Sequence, residues 1–189
     1  MECKVLPPIW EVNPDINKHI DDLYNYFKTF IYTNKIYYKT LPVGLRKYPI
    51  EQEKEESFFH LTHKTDENTN IRLPDYRRCE RIKWIKPAIE SNHYELCNSN
   101  CFLEYETDYK NSKRLKLLNE NEKYIIILEK REGYYLLITA FYIEHKRRLN
   151  VEKRLYEQYI NAMDAPLLEW VRPWCSCPQR GRWVTIIIT

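Results

Sequence analysis

Two apolar runs constrain this chain more than any other feature. Tyr124 to Leu128 reads YIIIL and Tyr134 to Ile143 reads YYLLITAFYI, with five residues, Glu129 to Gly133, between them. A ten-residue apolar run is too short to cross a bilayer, which takes about 18. Both runs are rich in β-branched and aromatic residues, so each reads as a strand. Apolar character without alternation means burial on both faces, which makes both strands central. The five residues between them read as a hairpin loop.

Other segments fill in around this pair. Phe102 to Thr107 reads as a further strand. Ser57 to His63, SFFHLTH, alternates and reads as a strand, with Phe59, Leu61 and His63 on one face and Phe58, His60 and Thr62 on the other. Asn13-Pro14 opens a helix over 14–32, in which Ile16, Ile20, Leu23, Tyr24, Phe27 and Ile31 recur at helical spacing. Residues 33–56, with Pro42, Gly44 and Pro49, read as a loop region with short ordered pieces. Pro74-Asp75 opens another helix, striped by Tyr76, Cys79, Ile82, Ile85 and Ile89, which Pro87 should kink or end. A last helix is predicted over 151–163. The fold class is α+β: helices packed on one side of one antiparallel sheet of about four strands. The organisation predicted is an N-terminal arm and accessory helix over 1–56, an α+β body over 57–163 and a tail over 164–189.

Several function classes fall away. The 189 residues hold 3 glycines, and no GxGxxG or GxxxxGK[ST] occurs, so the simplest dinucleotide and P-loop readings fail. HExxH, GxSxG and a run of spaced aspartates are also missing, which removes support for protease, lipase and two-metal nuclease chemistry. The opening MECKVLPPIW carries no apolar h-region, so a cytoplasmic protein with no membrane partner is expected. In that compartment six cysteines point to thiols or a metal site rather than disulfides.

Net charge is only +3, but its distribution is uneven. Segment 72–86 carries a local +4 and segment 144–154 a local +3. Such clusters can follow a phosphate backbone, although a solvated helix face carries the same pattern. His, Arg, Lys, Thr and Tyr around the central strands suit metal-free RNA cleavage. In that reaction the 2′-hydroxyl attacks the adjacent phosphate and leaves a 2′,3′-cyclic phosphate. It needs a base, an acid and cations on the phosphate.

Three motifs stand in order: FFHLTHKT at Phe58–Thr65, LPDYRRCERIKWIKPAIE at Leu73–Glu90, and YIIILEKREGYYLLITAFYI at Tyr124–Ile143. Together they resemble phage- and mobile-element-borne members of the barnase–EndoU–colicin–RelE-like ribonuclease superfamily, over a little more than half the chain. The resemblance implies a metal-independent endoribonuclease site on a four-stranded sheet, RNA as partner, and a toxin or phage–host conflict role. A cognate antitoxin, immunity protein or host protein would then be a second partner. It implies His60 as base or acid, Thr139 as a hydroxyl near the site, and Arg78 and Arg81 as the phosphate grip. Lys83, Lys113, Arg131 and Tyr142 would bind RNA, Tyr142 by stacking. His63 is a second candidate acid, on the opposite strand face. No cofactor is required for this chemistry.

A different class fits the same residues: a non-catalytic protein that holds nucleic acid or a host protein, such as an inhibitor of a defence system. Its 16 tyrosines and 5 tryptophans would supply the anchors. Separately, Cys97, Cys101, Cys175 and Cys177 could form a structural zinc site, with His93 and Cys79 as substitutes. The apolar end VTIIIT should pair as a strand with residues 1–10 or with a sheet edge.

Overall fold

The computed structural model describes residues 3–66, 68–97 and 100–164. The expected C-terminal strand, Cys175 and Cys177 lie outside them. In chain order, α1 (Ile16–Tyr26) runs on as a π-helical turn (Phe27–Tyr32). Next come β1 (Ile36–Tyr38), β2 (Leu41–Leu45), β3 (Ile50–Glu51), β4 (Lys54–Glu55), α2 (Glu56–Thr62), β5 (His63–Thr65) and β6 (Arg72–Pro74). Then follow α3 (Tyr76–Cys79), a 3-10 turn (Ile82–Trp84), α4 (Ile85–Glu90) and α5 (His93–Cys97). The last elements are β7 (Leu103–Tyr109), β8 (Ser112–Asn119), β9 (Tyr124–Arg131), β10 (Tyr134–Tyr142) and α6 (Lys146–Asp164).

The architecture is α+β, built on a mixed six-stranded sheet in the order β1-β2-β10-β9-β8-β7. Strands β7 to β10 form the antiparallel meander that the apolar runs predict. The count of about four antiparallel strands is corrected by the β1–β2 hairpin. That hairpin adds to β10 with β2 parallel to it, Val43 opposite Tyr135. Helices also cover both faces, not one. On one face Leu115, Leu117, Ile126, Leu128, Tyr135, Leu137 and Ala140 meet Leu23, Phe27, Phe58, Leu61, Ile82 and Ile85. On the other, Tyr105, Leu118, Ile125 and Ile127 meet Leu149, Leu155 and Tyr156 of α6. Full burial of one such Leu or Ile contributes roughly 1.5–3 kcal/mol before entropy is deducted. Two-faced burial is therefore what the unbroken apolar runs were encoding.

The hairpins close tightly. Arg131 pairs with Tyr134, so the β9–β10 connection is the two residues Glu132 and Gly133, shorter than the five-residue loop expected. Gly133 takes φ +77°, as a hairpin turn of this kind requires. With so few glycines, the β1–β2 and β7–β8 turns place Lys39 and Lys110 at φ 55° and 52° instead.

Four further expectations are corrected. Segment 57–63 is helical: α2 buries Ser57, Phe58, Phe59, Leu61 and Thr62, and only His63 begins a strand. A short apolar run buried on every side carries no usable period, so alternation misled. The first helix is capped by Asp15, which accepts from Asn17 and Lys18 N–H at 3.1 and 3.2 Å, not by Asn13. Pro87 neither ends nor kinks a helix. It sits in the first turn of α4, where its missing N–H is not needed, and the break falls earlier, at Glu80–Arg81. Finally, α6 starts at Lys146, five residues before the predicted start. No helix among the described residues is long and apolar enough to cross a membrane.

Candidate functional site

His60 projects from α2 one turn beyond Glu56, and its Nε2 lies 3.0 Å from Glu56 Oε1. The Glu56 carboxylate is buried and also accepts two hydrogen bonds from Arg72, at 2.9 and 2.6 Å. Arg72 holds the Glu56 carboxyl below its ordinary range, against the opposing pull of burial. Burial lowers the His60 pKa, Glu56 opposes that, and Arg72, Arg46 and Arg78 add to it. His60 is thus a neutral, oriented imidazole, half-exposed, with Nε2–H directed at a carboxylate.

Arg78 and Thr139 do reach His60, but at its backbone. Arg78 Nη1 donates to the carbonyls of His60 and His63, both at 2.9 Å. Thr139 Oγ1 donates to the His60 carbonyl at 2.9 Å. These are the end carbonyls of α2, which have no partner within the helix. A bulge in β10, between Leu137 and Thr139, accompanies this contact. Arg78 and Thr139 therefore clamp a helix end onto the sheet. Thr139→Val should cost about 1 kcal/mol in urea unfolding, because Arg78 still serves the same carbonyl. An unchanged midpoint would remove Thr139 from this clamp.

The second concentration of chemistry lies where α3, the end of β10 and the start of α6 meet. Lys64, Asp75, Arg78, Phe141, Tyr142, Glu144, His145 and Arg148 line an open cavity of about 220 Å³, together with Ile143. His60 and Thr139 are not in its lining. Exposed Lys146 and Arg147 flank it in the first turn of α6, which holds no acidic residue. That placement opposes the helix dipole, which favours negative charge at this end. Arg81 and Arg77 stand 4.8 and 5.6 Å from the Tyr142 ring centre, so the ring carries two guanidinium groups. Arg81 is buried: Nη1 donates to the Arg77 carbonyl and to Glu80, and Nε has no hydrogen-bond partner among the described residues.

The other sequence candidates lie elsewhere. Lys83 sits 4.1 Å over the Trp10 ring and lines a separate cavity with the N-terminal arm. Lys113 and Arg131 lie at the end of β8 and β9 remote from Tyr142, which pairs with Tyr124. Seven residues of strand separate Tyr124 from Arg131, about 23 Å at 3.3 Å per residue. Arg131 pairs with Glu129 there. His63 is buried between the Phe58 and Phe59 rings, with Nδ1 2.8 Å from Thr62 Oγ1.

Of the sequence-predicted metal ligands, Cys97 and Cys101 come together with His93 and with Cys3 from the N-terminal arm. One ligand atom from each lies within 4.8 Å of all the others. Cys79 is not part of this group; its thiol meets the Thr62 carbonyl at 3.4 Å. His93, Cys97 and Cys101 recur every four residues, a signal readable in advance. Nothing local to Cys3 announces it.

Compared with known proteins, the chain matches no family model, no curated protein and no solved structure.

Proposed function

We propose that this chain binds RNA, without cutting it, at the basic corner formed by α3, β10 and α6. One observation carries the reading: Lys64, Arg77, Arg78 and Arg148 gather with Lys146 and Arg147 around a cavity floored by Phe141 and Tyr142. Cations beside aromatic rings, at the N-terminal end of a 19-residue helix, suit a phosphate backbone with neighbouring bases. The positive first turn of α6 makes sense if an anion joins it. Fluorescence anisotropy with a labelled single-stranded RNA tests this. The double variant Lys64→Ala/Arg147→Ala changes two exposed side chains and should bind about tenfold more weakly, with an unchanged fold. Equal affinity of variant and wild type would move the interface elsewhere.

A second reading is the metal-independent endoribonuclease that the sequence resemblance implies. The Glu56–His60 pair supports it, since a carboxylate-oriented neutral imidazole can serve as a general base. Against it, Arg78 and Thr139 are occupied by backbone carbonyls, and His63 is buried. On the binding reading, RNA incubated with the protein in EDTA stays intact. Cleavage to 2′,3′-cyclic ends that is lost in His60→Ala would establish the enzyme instead.

A further inference from the structure

We propose that Cys3, His93, Cys97 and Cys101 bind one Zn²⁺ ion, as a structural site of three thiolates and one imidazole that staples the N-terminal arm to the body. This does not depend on RNA binding. Zinc takes sulfur at about 2.3 Å and nitrogen at about 2.0 Å in a tetrahedron. Those lengths imply edges of about 3.8 Å between sulfurs and about 3.5 Å between sulfur and nitrogen. The Cys3 and Cys97 sulfurs are 3.9 Å apart, and His93 Nδ1 is 3.4 Å from Cys3 Sγ. All four ligand atoms fit one centre. A disulfide between Cys3 and Cys97 would use two of the four groups and leave His93 without a role. A two-metal cluster would need its ligands spread over two centres.

The surroundings favour the same ion. His93 Nε2 lies 3.3 Å from the Ala88 carbonyl. With the proton on Nε2 that contact is a hydrogen bond, and the Nδ1 lone pair faces the sulfurs, the second-shell arrangement usual for a metal-bound imidazole. The ring is held against Phe102, centre to centre 4.8 Å. Backbone N–H groups of Val5 and Leu6 reach the Cys3 sulfur, and those of Lys4 and Val5 reach Cys97. Such amide donors stabilise thiolate charge without adding a cation. Cys3 and Cys97 are buried, so the site is closed, as structural zinc requires.

What the ion would hold is also visible. Val5, Leu6 and Trp10 of the arm pack against the main core. Trp84 Nε1 donates to the Pro7 carbonyl at 2.6 Å, and Trp10 N–H donates to the Glu80 carbonyl at 2.7 Å. Ligation would close a loop of 94 residues between Cys3 and Cys97.

The full chain, purified without chelator, should contain one zinc per molecule by mass spectrometry of the metal. Replacement by Co²⁺ should give thiolate-to-metal charge-transfer bands in the near ultraviolet and tetrahedral d–d bands in the visible. Cys3→Ser and His93→Ala should each weaken Zn²⁺ by more than the roughly 10–100-fold that loss of a second-shell partner costs. Cys79→Ser and the double variant Cys175→Ser/Cys177→Ser should keep full zinc content and the cobalt spectrum. EDTA should lower the melting temperature of the wild type and leave that of Cys3→Ser unchanged. Folded wild-type protein that takes up neither Zn²⁺ nor Co²⁺ overturns the proposal. So does zinc that survives Cys3→Ser and is lost with Cys175 and Cys177, or iron as the resident metal.

Discussion

Glu152→Ala should destabilise the protein by about 3–5 kcal/mol, the usual cost of removing one partner of a buried ion pair. The Glu152 side chain is 1% exposed. It accepts from Tyr105 Oη at 2.7 Å, Lys116 Nζ at 2.7 Å and Arg148 Nε at 2.9 Å. Burial works against its charge, but Lys116, Tyr105 and Arg148 outweigh it and hold the carboxyl below its ordinary range. Truncation strands the Lys116 ammonium inside the sheet–helix interface and leaves the Tyr105 hydroxyl without its acceptor. Tyr105→Phe removes only a donor and should cost about 1–2 kcal/mol. Urea midpoints of the two variants measure both. A loss below about 1 kcal/mol for Glu152→Ala would mean that α6 is not docked as described. The network bears on function, because it fixes the helix that carries His145 to Arg148 to the edge of the proposed RNA surface.

Acid should weaken the fold through His63 by up to about 3 kcal/mol. Burial pushes its pKa from 6.5 down to about 4, and the nearby Arg72, Arg78 and Lys54 charges push the same way. Thr62 Oγ1 donates to the Phe58 carbonyl at 2.7 Å, so its oxygen is left to accept from His63 Nδ1–H. The folded state therefore binds its proton less readily than the unfolded chain does. This contribution is complete above pH 6.5, is lost as pH falls from 6.5 toward 4, and changes no further below that. His63→Asn keeps a short donor toward Thr62 and cannot take up a proton. Its unfolding free energy should fall less steeply than that of the wild type between pH 6.5 and 4. Parallel slopes would show that His63 does not control acid stability.

The sequence carried the meander more clearly than the rest of the sheet. Strands β9 and β10 are buried on both faces, and their composition says so without help from any partner. β8 was not legible, because Lys113, Arg114 and Lys116 break the apolar pattern of SKRLKLLN. Lys116 is buried only because Glu152 arrives 36 residues later in the chain. Pro42 and Gly44 disguised β2 as loop. Gly44 lies so near the Tyr134 ring that an added Cβ would sit 3.4 Å from it. The Asp75 cap and the basic helix after it were readable, but the use made of Arg78 was not. Its acceptors, the carbonyls at the end of α2, exist only once 57–62 is known to be helical. Cys97 and Cys101 were readable as metal ligands, whereas Cys3 reaches them only through the path of the N-terminal arm.

The most direct test of the central claim is the salt dependence of RNA binding by the wild-type protein. If the basic corner holds a phosphate backbone, log K falls linearly with log salt. Its slope reflects several phosphate contacts, at roughly 0.7 per contact for a single strand. Lys64→Ala/Arg147→Ala should make that slope shallower by about two contacts' worth, or roughly 1.4. No binding even at about 50 mM salt, or a slope identical in wild type and variant, would contradict the assignment of this corner as an RNA-binding surface.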